Sequence, residues 1–282
     1  MVRKRIVAGI AIGVLLLAGC AGTEPPQAER AGRDVAPDDR SSGTPARSPR
    51  PAPPRDIDCR RVKCVALTFD DGPGPYTAGL LDLLRRTGAR ATFFVQGLHV
   101  PEHPAVVRRM VAEGHEIGNH TWDHPALTTL SRAEIRSQVE RTQRAVRNAA
   151  GVAPTMLRPP YRAVDATVVE AVGMPVILWS VDPQDWRRDD VARTVKTGLR
   201  DSGRGDIVLY HDVQATTVQA MPKIVDGLQR RGFTLVTVSE LFGDGGLKAG
   251  KTYTGIEPQA TPVTADPPPP GSPAGPEPSP GR

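Results

Sequence analysis

The chain of 282 residues is poor in aromatic residues, at 4 %, and holds three cysteines. It also lacks a basic face. Arg3, Lys4 and Arg5 carry three of the five net positive charges, which leaves 5 − 3 = +2 for everything after them. Without a Lys/Arg stripe or interleaved aromatics, nucleic-acid binding has neither electrostatic nor stacking support. No Gly-x-Gly-x-x-Gly follows the first predicted strand and no phosphate loop occurs, so no nucleotide is expected. No His-Glu-x-x-His occurs either, which removes the common metallopeptidase signature. The apolar run from Ile6 to Ala18 is too short to cross a bilayer, which takes about 20 residues.

A charged Arg3-Lys4-Arg5 followed by that short apolar run reads as a secretory signal. It ends in Leu17-Ala18-Gly19-Cys20, which resembles the bacterial lipobox, so residues 1–19 are expected to be a lipoprotein signal peptide. Lipidation of Cys20 would then anchor the protein on the outer face of the bacterial cytoplasmic membrane. The remaining pair, Cys59 and Cys64, lies outside the cytosol on this reading and is expected to form a disulfide. Of the 29 prolines, 8 fall in residues 21–57 and 10 in residues 246–282. Residues 20–57 therefore read as a disordered tether and 246–282 as a disordered Pro-rich tail. Residues 58–245 are the single stretch able to bury a core.

Within that stretch, apolar runs alternate with amphipathic ones. Strands are predicted at Val65–Phe69, Ala91–Val95, Glu116–Asn119, Met156–Arg158, Val176–Ser180, Ile207–Tyr210 and Phe233–Val238, each followed by a helix. Thr77–Thr87 stops at Gly88, Pro104–Glu113 opens on proline, and Ser131-Arg132-Ala133-Glu134 is a capping box for a helix to Ala150. Pro222 is expected to delay or kink the helix at Thr217–Arg231. The pattern calls for a parallel sheet with helices outside, and leaves open whether it is an open sheet or a closed barrel.

Residues able to do chemistry collect where those strands end. Asp70 and Asp71 follow the first, His120 and His124 the third, Arg158 closes the fourth, Asp182 and Asp185 follow the fifth and His211 the sixth. In parallel α/β folds these ends share one face, which carries the active site. Two imidazoles and one carboxylate make a three-ligand site with an open position, the pattern of catalytic Zn²⁺ or a similar ion. Of the two adjacent aspartates, one can ligate while the other stays free as a base. His99, His103 and His115 fall outside these groups and read as surface or packing residues.

Thr68-Phe69-Asp70-Asp71-Gly72-Pro73, His120-x-x-x-His124, Arg158-Pro159-Pro160-Tyr161, Asp182-x-x-Asp185-Trp186 and Leu209-Tyr210-His211 stand in that order. Over about residues 60–242 the chain resembles the polysaccharide deacetylases, the NodB-homology group of carbohydrate esterases. The resemblance implies a distorted seven-stranded (β/α) barrel. It also implies Asp71, His120 and His124 as metal ligands, Asp70 as general base with Arg158 orienting it, and His211 as general acid with Asp185 keeping it protonated. Tyr161 would supply a backbone oxyanion donor, and Trp186 and Leu209 would wall the acetyl pocket. Arg162 stands where the family usually has glycine, a departure in the loop beside the sugar.

The implied activity is metal-dependent removal of N-acetyl groups from amino sugars of a polysaccharide, peptidoglycan or a chitin-like oligosaccharide, with Zn²⁺ first and Co²⁺ or another divalent ion as alternatives. An O-acetyl (xylan) esterase would use the same machinery. A lipid-anchored glycan-binding module without activity is the reading from another class, and an intact base, ligand set and acid speak against it.

Overall fold

A computed structural model describes residues 52–53, 55–187 and 189–256. The signal segment, Cys20 and the run of prolines from Pro267 lie outside the described residues. The strands are β1 (Cys64–Asp70), β2 (Thr92–Val95), β3 (Glu116–Asn119), β4 (Val176–Ile177), β5 (Ile207–His211), β6 (Thr234–Val236) and β7 (Thr252–Tyr253). The α-helices are α1 (Thr77–Thr87), α2 (Pro104–Ala112), α3 (Arg132–Ala150), α4 (Ala166–Val172), α5 (Val191–Asp201), α6 (Ala215–Arg230) and α7 (Val238–Phe242). Among the described residues no helix is long and apolar enough to cross a membrane.

Every strand pairing is parallel. β1 is the hub. One of its edges pairs with β5 along Ala66 to Asp70, and the other is shared by β6 at Cys64–Ala66 and β2 at Thr68–Asp70. β3 continues beyond β2, and single bridges Asn119–Leu157, Leu157–Val176 and Val181–Val208 carry the ring back to β5. The result is a distorted barrel, closed in part by isolated bridges rather than by full strands.

Side-chain alternation splits β1 between two cores. Val65, Leu67 and Phe69 pack with Leu80, Leu81 and Leu84 of α1 in one hydrophobic cluster, while Cys64 and Ala66 belong to the other, with Phe94, Leu157 and Leu209. Each fully buried leucine of α1 contributes roughly 1.5–3 kcal/mol relative to exposure. The same alternation sends Thr68 and Asp70 to the side of Ala66.

The helix ends follow the sequence signals. Ser131 and Glu134 form the capping box of α3, and Asp165 and Asp190 accept from the Val168 and Arg193 N–H groups at 2.8 and 2.9 Å. α6 begins at Ala215 and carries Pro222 in its interior, so that proline does not delay its start. Cys59 and Cys64 form the expected disulfide.

Three expectations change. The predicted fourth strand reduces to the Leu157 bridges, because Pro159 and Pro160 follow at once and lack N–H groups for a ladder. The segment expected to be a tail from residue 246 is ordered to Ile256. There the Val176 and Leu178 N–H groups donate to Lys251 and Tyr253 carbonyls at 2.9 and 2.7 Å, and the Tyr253 ring packs edge-on to Phe242 at 5.0 Å. Pairing satisfies an edge of β4 that would otherwise be bare. The end of the expected tether is pinned as well. Arg55 reaches both carboxylate oxygens of Glu240 at 2.9 and 2.7 Å, and Glu240 also pairs with Arg90 at 3.0 Å and caps α7.

His115 is a packing residue, 6 % exposed, set edge-on to Phe93 at 5.5 Å, with Nδ1 accepting from the Ala91 N–H. Burial, with Arg90 and Arg55 nearby, holds its pKa down at about 4, from 6.5. Its folded value is thus depressed, so the unfolded chain takes up a proton first as pH falls from 6.5 toward 4. Stability is lost in that window, by an amount on the order of 3 kcal/mol. Urea midpoints should fall between pH 7 and pH 5 in the wild type and fall distinctly less in His115→Asn, which keeps an acceptor but cannot charge. Equal slopes would assign the acid sensitivity elsewhere.

Candidate active site

β1 delivers its last residue, Asp70, on the inward parity, 3 % exposed. In a strand Asp71 would face the opposite way. It instead adopts a left-handed φ of 73°, which ends the strand and turns its carboxylate toward the same cavity. Gly72 follows with its backbone against the buried Asp212 carboxyl, where any Cβ would collide. Asp212 accepts from the Thr77 hydroxyl, and Thr77 Oγ1 accepts from the Gly74 N–H at 2.8 Å, so the turn is held at both ends. Burial pushes the Asp212 carboxyl up to about 7.

β3 ends at Asn119 and hands over to the two histidines through a loop tied to α3. The Asn119 side chain donates to the Val139 carbonyl at 3.0 Å and accepts from the Thr121 N–H at 2.8 Å, and Gln138 accepts from the Trp122 N–H at 2.8 Å. Thr121 and His124 have φ values of 67° and 66°. These kinks bring the two imidazoles within 4.9 Å of each other. Their Nε2 atoms stand 3.5 Å (His120) and 3.3 Å (His124) from Asp71 Oδ1.

The tautomers suit metal binding. His120 Nδ1 lies 2.7 Å from the Arg158 carbonyl, which can only accept, so Nδ1 carries the proton and Nε2 presents its lone pair. His124 Nδ1 is 3.0 Å from the Tyr161 hydroxyl, which leaves its Nε2 facing Asp71 as well. Burial, with the His120 imidazole close by, holds the His124 pKa down at about 4, so the ring is neutral at pH 7. Burial alone would raise Asp71, but the His211, His124 and His120 imidazoles and a hydrogen bond from Gln96 outweigh it and hold the pKa at about 2. One ligand atom from each of Asp71, His120 and His124 lies within 4.8 Å of the others. Two imidazole nitrogens and an ionised carboxylate fit a divalent cation with positions left open.

Arg158 is fully buried, and its N–H fork is shared out. Nη1 donates to Asp70 Oδ1 at 2.8 Å and Thr68 Oγ1 at 2.7 Å, Nη2 to the Leu178 carbonyl at 3.0 Å and Nε to the Ile177 carbonyl at 3.2 Å. The guanidinium lies 4.1 Å from the Phe94 ring centroid. Across the cavity Asp185, 2 % exposed, accepts from the His211 backbone N–H at 2.8 Å, from the Thr217 hydroxyl at 2.6 Å and from His211 Nδ1 at 2.9 Å. Burial opposes charge on His211, but Asp185, then Asp71 and Asp70, overcome it and raise the pKa to about 10. His211 is therefore an imidazolium at neutral pH.

Asp70, Asp71, His120, His124 and His211 share a cavity of about 140 Å³, walled by Trp186, Leu209, Trp179 and Tyr161, while Arg158 and Asp185 are buried behind Asp70 and His211. All five predicted segments reach it. Asp182 lines it too and accepts from the Gln184 N–H at 2.7 Å. A larger groove of about 1540 Å³ between residues 55–60 and 248–253 contains no comparable ligand set among the described residues. Gln96, which donates to Asp71 Oδ1 at 2.8 Å, Thr217, Asp212 and Trp179 escaped the sequence reading. Trp179 sat inside a predicted strand and Thr217 at a predicted helix start, positions with no chemical signal. Only Thr68 was legible, by its two-residue offset from Asp70.

A family model described as polysaccharide deacetylase matches residues 58–175. The chain is 44 % identical over 192 residues to the peptidoglycan-N-acetylglucosamine deacetylase PgdA of Listeria monocytogenes serotype 1/2a, strain 10403S, a match covering 68 % of this chain and 41 % of that protein. It therefore spans about two fifths of that relative's length. Over 204 residues it is 41 % identical to the chitooligosaccharide deacetylase of Bradyrhizobium sp., strain ANU 289, covering 65 % of this chain and 93 % of that one. The solved structure of T48 deacetylase with substrate superposes with a TM-score of 0.69 at 46 % identity, covering 70 % of this chain and 99 % of the other. Joined to a buried arginine paired to a carboxylate, two histidines and an aspartate that could hold a metal ion, and an imidazolium held by a carboxylate, these likenesses establish that the chain belongs to the polysaccharide deacetylase family.

Proposed function

We propose that the protein is a metal-dependent hydrolase that removes N-acetyl groups from amino sugars of a polysaccharide, peptidoglycan foremost. The observation that carries this reading is the convergence on one small cavity of a carboxylate paired to arginine, a three-residue ligand set and a protonated histidine. The relatives named for peptidoglycan and chitooligosaccharides support the substrate class.

Asp71, His120 and His124 would hold the ion, Zn²⁺ first and Co²⁺ as an alternative. When bound, a divalent ion supplies Lewis-acid polarisation and neutralises developing negative charge. The chain's own residues do the rest. Asp70, fixed by Arg158, takes the proton of the attacking water. The Tyr161 N–H stabilises the oxygen as it gains charge. His211 Nε2 gives its proton to the departing nitrogen, which leaves as an amine rather than an amide anion. Asp185 keeps that proton in place and fixes the ring, and Trp186 and Leu209 exclude water around the acetyl methyl.

Acetate release from peptidoglycan, chitooligosaccharides and acetylxylan, with and without chelator, tests the reading. Activity on the N-acetyl substrates that chelation abolishes and added Zn²⁺ or Co²⁺ restores is the expected result. Acetate from acetylxylan alone would replace the amidase reading with that of an O-acetyl esterase. His124→Ala should stay folded, lose metal by elemental analysis and lose at least about a hundredfold in kcat/KM. Stoichiometric metal in that variant would remove His124 from the ligand set.

His211 should set the alkaline limb of the pH–rate profile. Its folded pKa is raised by Asp185, so acid catalysis is present below that value and lost as pH rises through it. Asp185→Asn removes the main raising cause, and the alkaline limb should move acidward by at least about one pH unit. An unmoved limb would assign it to another group. His211→Ala should lose amide hydrolysis more than hydrolysis of an activated acetyl ester, whose leaving group needs no proton. Equal losses would argue against His211 as the acid.

The Leu17-Ala18-Gly19-Cys20 segment places the enzyme, on this reading, outside the cytoplasmic membrane on a lipid anchor. The protein should partition with membranes, and Cys20→Ala should release or mislocalise it. Wild-type protein that is soluble and unmodified would rule the anchor out.

A further inference from the structure

Two arginines on the cavity's aromatic walls have no task in the scheme above. The Arg162 guanidinium lies 4.9 Å from the Trp179 ring centroid, and that of Arg187 lies 4.8 Å from the Trp186 ring centroid. Both tryptophans line the cavity. Neither arginine makes an ion pair with a carboxylate among the described residues, and neither side chain donates a hydrogen bond there. The contrast with Arg158 is direct, since that arginine spends its fork on Asp70, Thr68 and two carbonyls.

The backbone sharpens the point. Tyr161 and Arg162 are consecutive left-handed residues, with φ of 56° and 60°. A residue with a Cβ is strained in that region, where glycine is not. Contact with Trp179 offsets part of that strain, since the indole face attracts a cation. Arg162 is half-buried and close enough to oppose the charge of the buried Arg158. Packing like charge against Arg158 at a strained position gains nothing for the fold. A guanidinium held against an indole, its N–H groups without a protein acceptor among the described residues, has that planar fork available to read a carboxylate through two parallel hydrogen bonds.

We propose that Arg162, with Arg187 on the second tryptophan, makes the rim of the acetyl cavity a reader of carboxylates, selecting glycans that carry an acid beside the acetamido sugar. This rests on the deacetylase reading and narrows its substrate. Peptidoglycan strands carry an ether-linked lactyl carboxyl on every second sugar, a free carboxylate wherever the stem peptide is absent, whereas chitooligosaccharides carry none.

The test compares three oligosaccharides with the metal-loaded full chain: a peptide-free peptidoglycan fragment, the same fragment with its carboxyl groups reduced to alcohols, and a chitooligosaccharide of equal length. The wild type should favour the acid over the reduced form by about tenfold in kcat/KM, mostly through KM, and the preference should shrink as salt rises, because half-exposed pairs are screened. Arg162→Gln should bring the ratio close to unity, and Arg162→Lys should keep part of it. Arg162→Gly, which suits the left-handed backbone, should behave like Arg162→Gln and guards against a folding defect. A wild type without preference, or variants that lose equally on acid and reduced fragments, would overturn the proposal while leaving deacetylation of the neutral oligosaccharide intact. Acetate release from none of the three would defeat the deacetylase reading and the rim with it. A phosphate-bearing wall polymer that competes in the wild type but not in Arg162→Gln, with no effect of carboxyl reduction, would transfer the rim to phosphate and overturn the carboxylate assignment.

Discussion

The contact on which the site depends is the fully buried pair between Arg158 and Asp70. A guanidinium removed from water is tolerable only when each N–H finds an acceptor, and breaking such a pair costs about 3–5 kcal/mol. Here the acceptors come from β1 and from the Ile177–Leu178 stretch, while the Arg158 carbonyl takes the Nδ1–H of His120. One residue thus joins three strand ends. It orients the proposed base on one side and sets the tautomer of a proposed metal ligand on the other.

Around that pair the cavity keeps neighbouring groups in different protonation states. His124 is held neutral by burial and by a second imidazole, and His211 is held charged by a carboxylate with three further donors on it. The two rings belong to the same residue type and face the same small space. Their opposite states come from their neighbours, burial beside His120 in one case and Asp185 in the other. Such a division lets one cavity bind a cation and still supply a proton.

The barrel holds these groups in place with little regular strand. β4 has two residues, and single bridges at Leu157 and Val181 complete the ring. The segments on either side of the barrel contribute to its closure. Tyr253 covers the edge of β4, and Arg55 is tied to Glu240 on α7. Both lie where proline-rich composition had predicted disorder, because composition reports the average of a segment and a few residues with a partner suffice to order its inner end.

The order of elements, most helix limits and the five chemical segments were legible in the sequence, since each rests on local rules: periodicity, caps, and polar residues after apolar runs. The Ser131 capping box and the Gly88 stop needed no tertiary knowledge. The same holds for the pairing of Cys59 with Cys64, which followed from their number and compartment. Tertiary structure decided what depends on distance in space. That Asp71 joins His120 and His124 follows from three left-handed residues no local rule announced, and Gln96, Thr217 and Asp212 acquire roles only through partners far along the chain. Protonation was decided there too. A histidine in a sequence is one titrating group, whereas burial beside a second imidazole or beside Asp185 drives it to opposite sides of neutrality.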